Sequence, residues 1–100
     1  VVAPDGTVYV TNADDGTVSV IRDGHVTATI TVGGIPSGSV VAPDGTVYVT
    51  NADDGTVLVI RDGHVTTTIS VGSIPLAPVV APDGTVYVTN FDDGTVSVLS

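Results

Sequence analysis

YVTNADDGTVSV, residues 9–20, returns as YVTNADDGTVLV at 48–59 and as YVTNFDDGTVSV at 87–98. Apolar and polar residues alternate on both sides of a fixed Asp-Asp-Gly. Alternation with a period of two puts one class of side chain on each face of a strand. Asp-Gly between two such runs is a hairpin signal, because Gly accepts positive φ without a Cβ clash. The stretch therefore reads as two antiparallel strands around a tight turn, written almost three times.

The repetition extends beyond the hairpin. Val1-Val2-Ala3-Pro4-Asp5-Gly6 matches Val40-Val41-Ala42-Pro43-Asp44-Gly45 and Val79-Val80-Ala81-Pro82-Asp83-Gly84, an offset of 39 residues. The units are 1–39, 40–78 and 79–100. The first two differ at seven positions: Ser19/Leu58, Ala28/Thr67, Thr31/Ser70, Gly34/Ser73, Ser37/Leu76, Gly38/Ala77 and Ser39/Pro78. In the second unit, strand one is the apolar run Val40-Val41-Ala42, ended by Pro43-Asp44-Gly45. Strand two is Thr46 to Thr50, with Val47 and Val49 opposite Tyr48. Strand three is Thr56 to Ile60, and Asp62-Gly63 turns the chain again. Strand four runs from His64 to Val71, with Val65, Thr67, Ile69 and Val71 on one face. Pro-containing links, GGIPSG and GSIPLAP, join the units.

A four-stranded meander of about 40 residues, repeated, is the pattern of a β-propeller blade. Strand one is the most apolar and suits the innermost position at a central channel. Strand four alternates Thr with aliphatics and suits the outer edge. A β-solenoid is the competing architecture, but three tight turns per unit favour antiparallel hairpins over parallel coils. The expected domains are blade 1 (1–39), blade 2 (40–78) and a partial blade 3 (79–100) lacking its outer strand, eleven strands in all. Closed propellers have roughly four to eight blades. Too few blades predicts a ring completed by other copies or by further chain.

Composition agrees with strands and narrows the function. Val and Thr dominate, and Lys, Glu, Met, Trp and Cys are absent. Without Cys there is no disulfide framework and no thiolate metal site. All eleven acidic residues are Asp and face two Arg, giving a net charge of -9. That charge repels phosphate backbones, so no nucleic-acid partner is expected. Apolar runs of a few residues predict no membrane insertion.

Tyr-Val-Thr-Asn at 9–12, 48–51 and 87–90, with PDGTVYVTN, DGTVSVI and TVGGIP or SVGSIP around it, resembles the YVTN-repeat β-propellers. The core GTVYVT is also similar to NHL-type propeller repeats. The resemblance covers the whole chain. It implies closed rings of several blades in secreted or cell-surface proteins. The IRDGHV hairpin is shorter than is usual in the family.

Candidate sites follow from the repeat. On one rim each unit presents Asn-x-Asp-Asp-Gly: Asn12, Asp14 and Asp15; Asn51, Asp53 and Asp54; Asn90, Asp92 and Asp93. Hard oxygens in a ring would suit Ca²⁺, although the spacing is not that of an EF-hand loop. The plainer reading is a turn in which Asp caps its own backbone. No other cofactor is expected. His25 and His64 lie in separate units as solvated strand starts, and Arg22 and Arg61 as hairpin residues beside Asp23 and Asp62. No catalytic set converges, so no enzyme activity is expected. The assembly interface is assigned to Val1, Val2, Tyr9, Tyr48, Tyr87, Phe91, Val96, Val98 and Leu99. Leu58, Leu76, Ala77 and Pro78 add apolar surface in unit two. The expectation is an extracellular or cell-surface structural scaffold whose partners are copies of itself, in rings or fibres. Two readings stand beside it: a ligand- or cation-binding module at the Asn-x-Asp-Asp-Gly rim, and an engineered or amplified propeller with no native activity.

Overall fold

The computed structural model describes residues 1–61 and 64–99, so the Asp62-Gly63 turn lies outside the described residues. Those residues form ten strands and no helix. β1 (Val8–Asn12), β2 (Thr17–Arg22) and β3 (His25–Thr31) make the first sheet. β4 (Pro36–Val41), β5 (Val47–Asn51), β6 (Thr56–Arg61) and β7 (His64–Ser70) make the second. β8 (Pro75–Val80), β9 (Val86–Asn90) and β10 (Thr95–Leu99) make the third. Every pairing is antiparallel between strands consecutive in sequence. Each sheet is a propeller blade, and the three do not close into a ring.

The structure departs from the sequence reading in three places. The first blade has no full inner strand. Val2 bridges Val8, and the Val1 and Tyr9 backbones exchange two hydrogen bonds of 2.8 and 2.9 Å. Ten strands replace the expected eleven for that reason. Next, the inner strand of blade 2 begins at Pro36, not Val40, so the expected 39/40 boundary cuts through β4. Gly33 and Gly34, at φ 78° and 52°, turn the chain, and the rest of the link pairs with β5 across a bulge between Pro36 and Gly38. Link residues become strand because an extended backbone beside an open edge satisfies its hydrogen bonds there.

The third departure is in the outer strand. Ile60 pairs with Val65 and Val59 with Thr67, which leaves Thr66 as the extra residue of a bulge. Cross-strand partners share a face, and a bulge inverts the alternation. Val65 therefore lies on the Ile60 face, opposite Thr67 and Ile69, instead of sharing a face with them. The same bulge recurs in blade 1, where Ile21 pairs with Val26 and Val20 with Ala28.

Two apolar layers hold the three blades together. Tyr9, Val18, Val20 and Ile30 of blade 1 meet Val47, Val49, Leu58 and Ile60 of blade 2. Val57, Tyr48 and Val71 on the other face of blade 2 meet Val86, Val88 and Leu99 of blade 3. β6, TVLVIR, puts Val57 and Val59 on one face and Leu58 and Ile60 on the other, so blade 2 offers an aliphatic surface to both neighbours. Replacing Val49, which is fully buried, with Ala should lower stability by about 2 kcal/mol. Val10→Ala, at the equivalent but exposed position of blade 1, should change it by less than about 0.5 kcal/mol in dilute solution. Urea melts of the two variants check the contrast.

Candidate functional site

Two features stand out beyond the core: the Asn-x-Asp-Asp-Gly rim and the two blade faces at the ends of the stack. The rim loops are local turns first. Gly16, Gly55 and Gly94 each donate to the carbonyl of the Asn four residues earlier, at 3.0 Å. Their positive φ, 66–68°, is the conformation Gly tolerates.

The Asn and the second Asp then reach to the preceding blade. Asn90 Oδ1 accepts from the Gly72 amide at 3.0 Å, and Asp93 Oδ2 accepts from the Ser73 amide at 3.0 Å. Phe91 and Ala52 amides donate to the carbonyls of Ile74 and Ile35. At the first junction Asn51 Nδ2 donates to the Val32 carbonyl at 3.2 Å, and the Asp54 carboxylate lies over Gly34. The loops of blades 2 and 3 thus hold the Val-Gly-x segment that leaves the preceding blade. A Cβ on Gly72 would stand 2.6 Å from Asp93 Oδ2 and 2.7 Å from Asn90 Cγ, so only Gly fits under the loop.

The described residues contain no group of three or more His, Cys, Asp or Glu disposed to hold a metal ion. Asp54 and Asp93 are turned onto the preceding blade's backbone. Asp53, Asp54, Asp92 and Asp93 do border a polar cleft of about 540 Å³ between blades 2 and 3. Asp14 and Asp15 are exposed in the loop between β1 and β2. His25 and His64 start β3 and β7 and are exposed.

Opposite this rim, a second Asp set caps the Pro-Asp-Gly turns. Thr7, Thr46 and Thr85 amides donate to Asp5, Asp44 and Asp83 at 2.9 Å. Those bonds hold all three carboxyls below the ordinary value of 3.8, against a smaller opposing effect of desolvation. Arg22 and Arg61 add a weaker pull on Asp5 and Asp44. Arg22 thus bears on the Pro4-Asp5-Gly6 turn.

The end faces are the unpartnered surfaces. Val18 and Val57 are 0 % exposed between blades, whereas Val96 at the same position of blade 3 is 58 % exposed. On the opposite face Val49 and Val88 are 0 % exposed and Val10 of blade 1 is 40 % exposed. Of the interface residues expected from sequence, Val1, Val2, Tyr87, Phe91, Val96 and Val98 are exposed. Tyr9 is buried between blades 1 and 2, and Tyr48 and Leu99 pack between blades 2 and 3. Those three serve junctions inside the chain, because their face is already covered by the following or preceding blade. Val10 and Val26 are exposed aliphatics that the sequence reading left out. The match of Val10 to Val49 and Val88 in the repeat was the signal for the first.

No family model matches the sequence, and no curated protein matches it. Solved structures do. Virginiamycin B lyase from Staphylococcus aureus superposes with a TM-score of 0.81 at 18 % identity, over 100 % of this chain and 39 % of that one. Hydrazine synthase from Kuenenia stuttgartiensis gives a TM-score of 0.79 at 26 % identity, over 96 % of this chain and 33 % of that one. Both neighbours are β-propeller proteins. The chain spans about two-fifths or less of their length, and the likeness is one of fold.

Two outcomes follow from the rim. Gly72→Ala should cost about 1–3 kcal/mol through overpacking. Combining it with Asp93→Ala should cost less than the two changes separately, because the carboxylate is one of the groups displaced; a double-mutant cycle reads this coupling. The turn Asp carboxyls have a depressed folded value, so their contribution is complete above 3.8 and is lost as pH falls through the folded value. A D5N/D44N/D83N variant should therefore show a flatter acid-unfolding profile below about pH 4 while keeping its fold, measured by circular dichroism.

Proposed function

We propose that the chain is a non-catalytic structural segment of a YVTN-type propeller scaffold, working outside the cell or at its surface, in which copies stack blade face to blade face. One observation carries this reading. The exposed face of blade 3, with Tyr87, Val96 and Val98, repeats the faces that blades 1 and 2 bury against their neighbours. The exposed face of blade 1, with Val10, repeats the faces of blades 2 and 3 that receive them. The two ends of the chain are therefore complementary to each other, a head-to-tail relation that makes a ring if it closes and a fibre if it does not. Two copies supply six blades, within the roughly four to eight of closed propellers. The YVTN motifs and their spacing support the family and the location.

Stacking works against the net charge of -9 on each copy. Added salt screens that repulsion and strengthens assembly. The Asp-lined cleft between blades 2 and 3 favours a cation-binding role instead.

Native mass spectrometry with negative-stain imaging tests the proposal. The expected result is a discrete multiple of the 9.9 kDa chain, or open fibres, favoured by salt and abolished by Val10→Asp and by Val98→Asp. A monomer at high protein and salt concentration overturns it. A rise in melting temperature with Ca²⁺, with no change of mass, would favour the cation reading.

A further inference from the structure

Eight of the eleven Asp residues are followed directly by Gly. An Asp-Gly bond can rearrange, because the Gly amide nitrogen can close a ring onto the Asp carboxyl and Gly has no side chain in the way. One pair, Asp62-Gly63, lies outside the described residues. The other seven sit in three kinds of turn. In the Pro-Asp-Gly turns the Gly closes the turn: the Gly6, Gly45 and Gly84 amides donate to the Ala3, Ala42 and Ala81 carbonyls at 2.9 Å. In the Asp-Asp-Gly loops the Gly16, Gly55 and Gly94 amides are tied to the Asn carbonyls at 3.0 Å. The nitrogen that would attack is held in all six.

Asp23-Gly24 is built differently. Arg22 pairs with His25, so Asp23 and Gly24 are the two central residues of the β2–β3 hairpin. Their φ values are 51° and 79°, and positive φ at both central positions is the mark of a type I′ turn. A turn of this kind is closed by its two flanking residues, which leaves the amide of the second central residue free. Among the described residues no backbone acceptor takes the Gly24 amide. Asp23 and Gly24 are both exposed to water.

We propose that Asp23-Gly24 is a site of spontaneous backbone modification, rearranging to isoaspartate faster than any other described Asp-Gly pair. The Gly24 nitrogen attacks Asp23 Cγ. A C–N bond forms, the carboxyl C–O bond breaks, and the hydroxyl leaves with the amide proton as water. The product is a cyclic succinimide. Water then adds to either of its carbonyls. Breaking the new Cγ–N bond restores Asp. Breaking the original peptide C–N bond leaves the chain running through Cγ, as isoaspartate. Water leaves and water returns, so mass is unchanged and no other reactant is needed. At the six tied pairs attack must wait for the turn to open locally. The leaving hydroxyl also requires a protonated carboxyl. The Thr amides that hold Asp5, Asp44 and Asp83 keep those carboxyls ionised to lower pH, which protects them a second time.

The product has a longer backbone between Arg22 and His25. Turn geometry fixes the register of a hairpin, so the pairs beside the turn, Arg22 with His25 and Ile21 with Val26, are disturbed first. Most of β3 is exposed, and Ile30 is its one buried residue, so little burial resists the change.

Ageing the 100-residue protein at about pH 5, where an ordinary Asp carboxyl is partly protonated, tests the site. Peptide mapping with electron-transfer fragmentation distinguishes Asp from isoaspartate at each position. Isoaspartate should accumulate at Asp23 about tenfold faster than at the six tied pairs. In urea, with the turns unfolded, the seven rates should fall within about threefold of one another. Asp23→Gly, which the positive φ accommodates, should abolish the signal there and keep the fold. Amides at the start of β3 should exchange with solvent faster in the aged protein than in the fresh one. Equal rates in the folded protein, or a lead for any tied pair, overturns the proposal. A lead at Asp23 that persists unchanged in urea overturns it too, because the selectivity would then lie in the neighbouring residues and not in the turn. Unaltered exchange in β3 despite isoaspartate at Asp23 overturns the effect on register.

Discussion

A four-stranded antiparallel sheet can bury both of its faces only between two other layers, and every blade in this chain is aliphatic on both. Val49 faces one way and Val57 the other, and each is fully buried because a neighbouring blade covers it. An isolated sheet of this size would expose both sets and gain too little to offset the entropy of ordering it. Stability is then a sum over junctions between nearest neighbours, as in other repeat architectures. Everything else in the structure serves the junctions. The tight turns return the chain quickly enough to keep each blade narrow, and the bulges twist the outer strands so that adjacent sheets can nest.

The polar rim follows from the same constraint. Where one blade ends and the next begins, the chain must leave the outer strand and cross to the inner strand of its neighbour. That crossing exposes backbone amides that no ladder can satisfy. Asn90 and Asp93 supply acceptors for two of them, at Gly72 and Ser73. A carboxylate accepting from a backbone amide makes a charge-assisted bond. Asp93 thus serves the crossing while adding charge to the rim. A repeated carboxylate in a repeat protein is first a solution to a repeated backbone problem.

The sequence made the strands, the turns and the period legible because each is encoded within a few residues. Tyr48 between Val47 and Val49 fixes a strand, and Asp-Gly fixes a turn. The junction contacts were not legible in that way. Asn90 meets Gly72 across 18 residues, and neither has a local pattern that names the other. The recurrence of the pair, Gly33 with Asn51 and Gly72 with Asn90, was the available signal, and it reads equally well as turn chemistry. The bulge at Thr66 was hidden for a different reason. His64–Ser70 alternates regularly in sequence, and only the pairing of Val65 with Ile60 shows that one residue has been looped out. The inner strand's start at Pro36 was masked by Gly and Pro, which signal a link but do not prevent pairing at an edge.

Drift between units tests the same logic. Leu58 replaces the serine that stands at Ser19 and Ser97, and it is buried against blade 1. In blades 1 and 3 that serine accepts a hydrogen bond from the Asn amide, at 2.9 and 2.8 Å. In blade 2 the Asn51 amide donates instead to the Val32 carbonyl, and Asn51 Oδ1 is left buried without a partner. Burying a leucine contributes about 1.5–3 kcal/mol, and a buried acceptor left unsatisfied costs about 1–3 kcal/mol. The two nearly cancel, so the junction tolerates either residue. It tolerates leucine only where a blade covers the face. At Ser19, on the exposed face of blade 1, and at Ser97, where Asn90 turns its Oδ1 to Gly72, the hydroxyl completes a network that leucine would break. The substitution sits at one of the two copies whose face a neighbouring blade covers; the other, Ser97, pairs with the buried Val88 and keeps its hydroxyl bonded to Asn90.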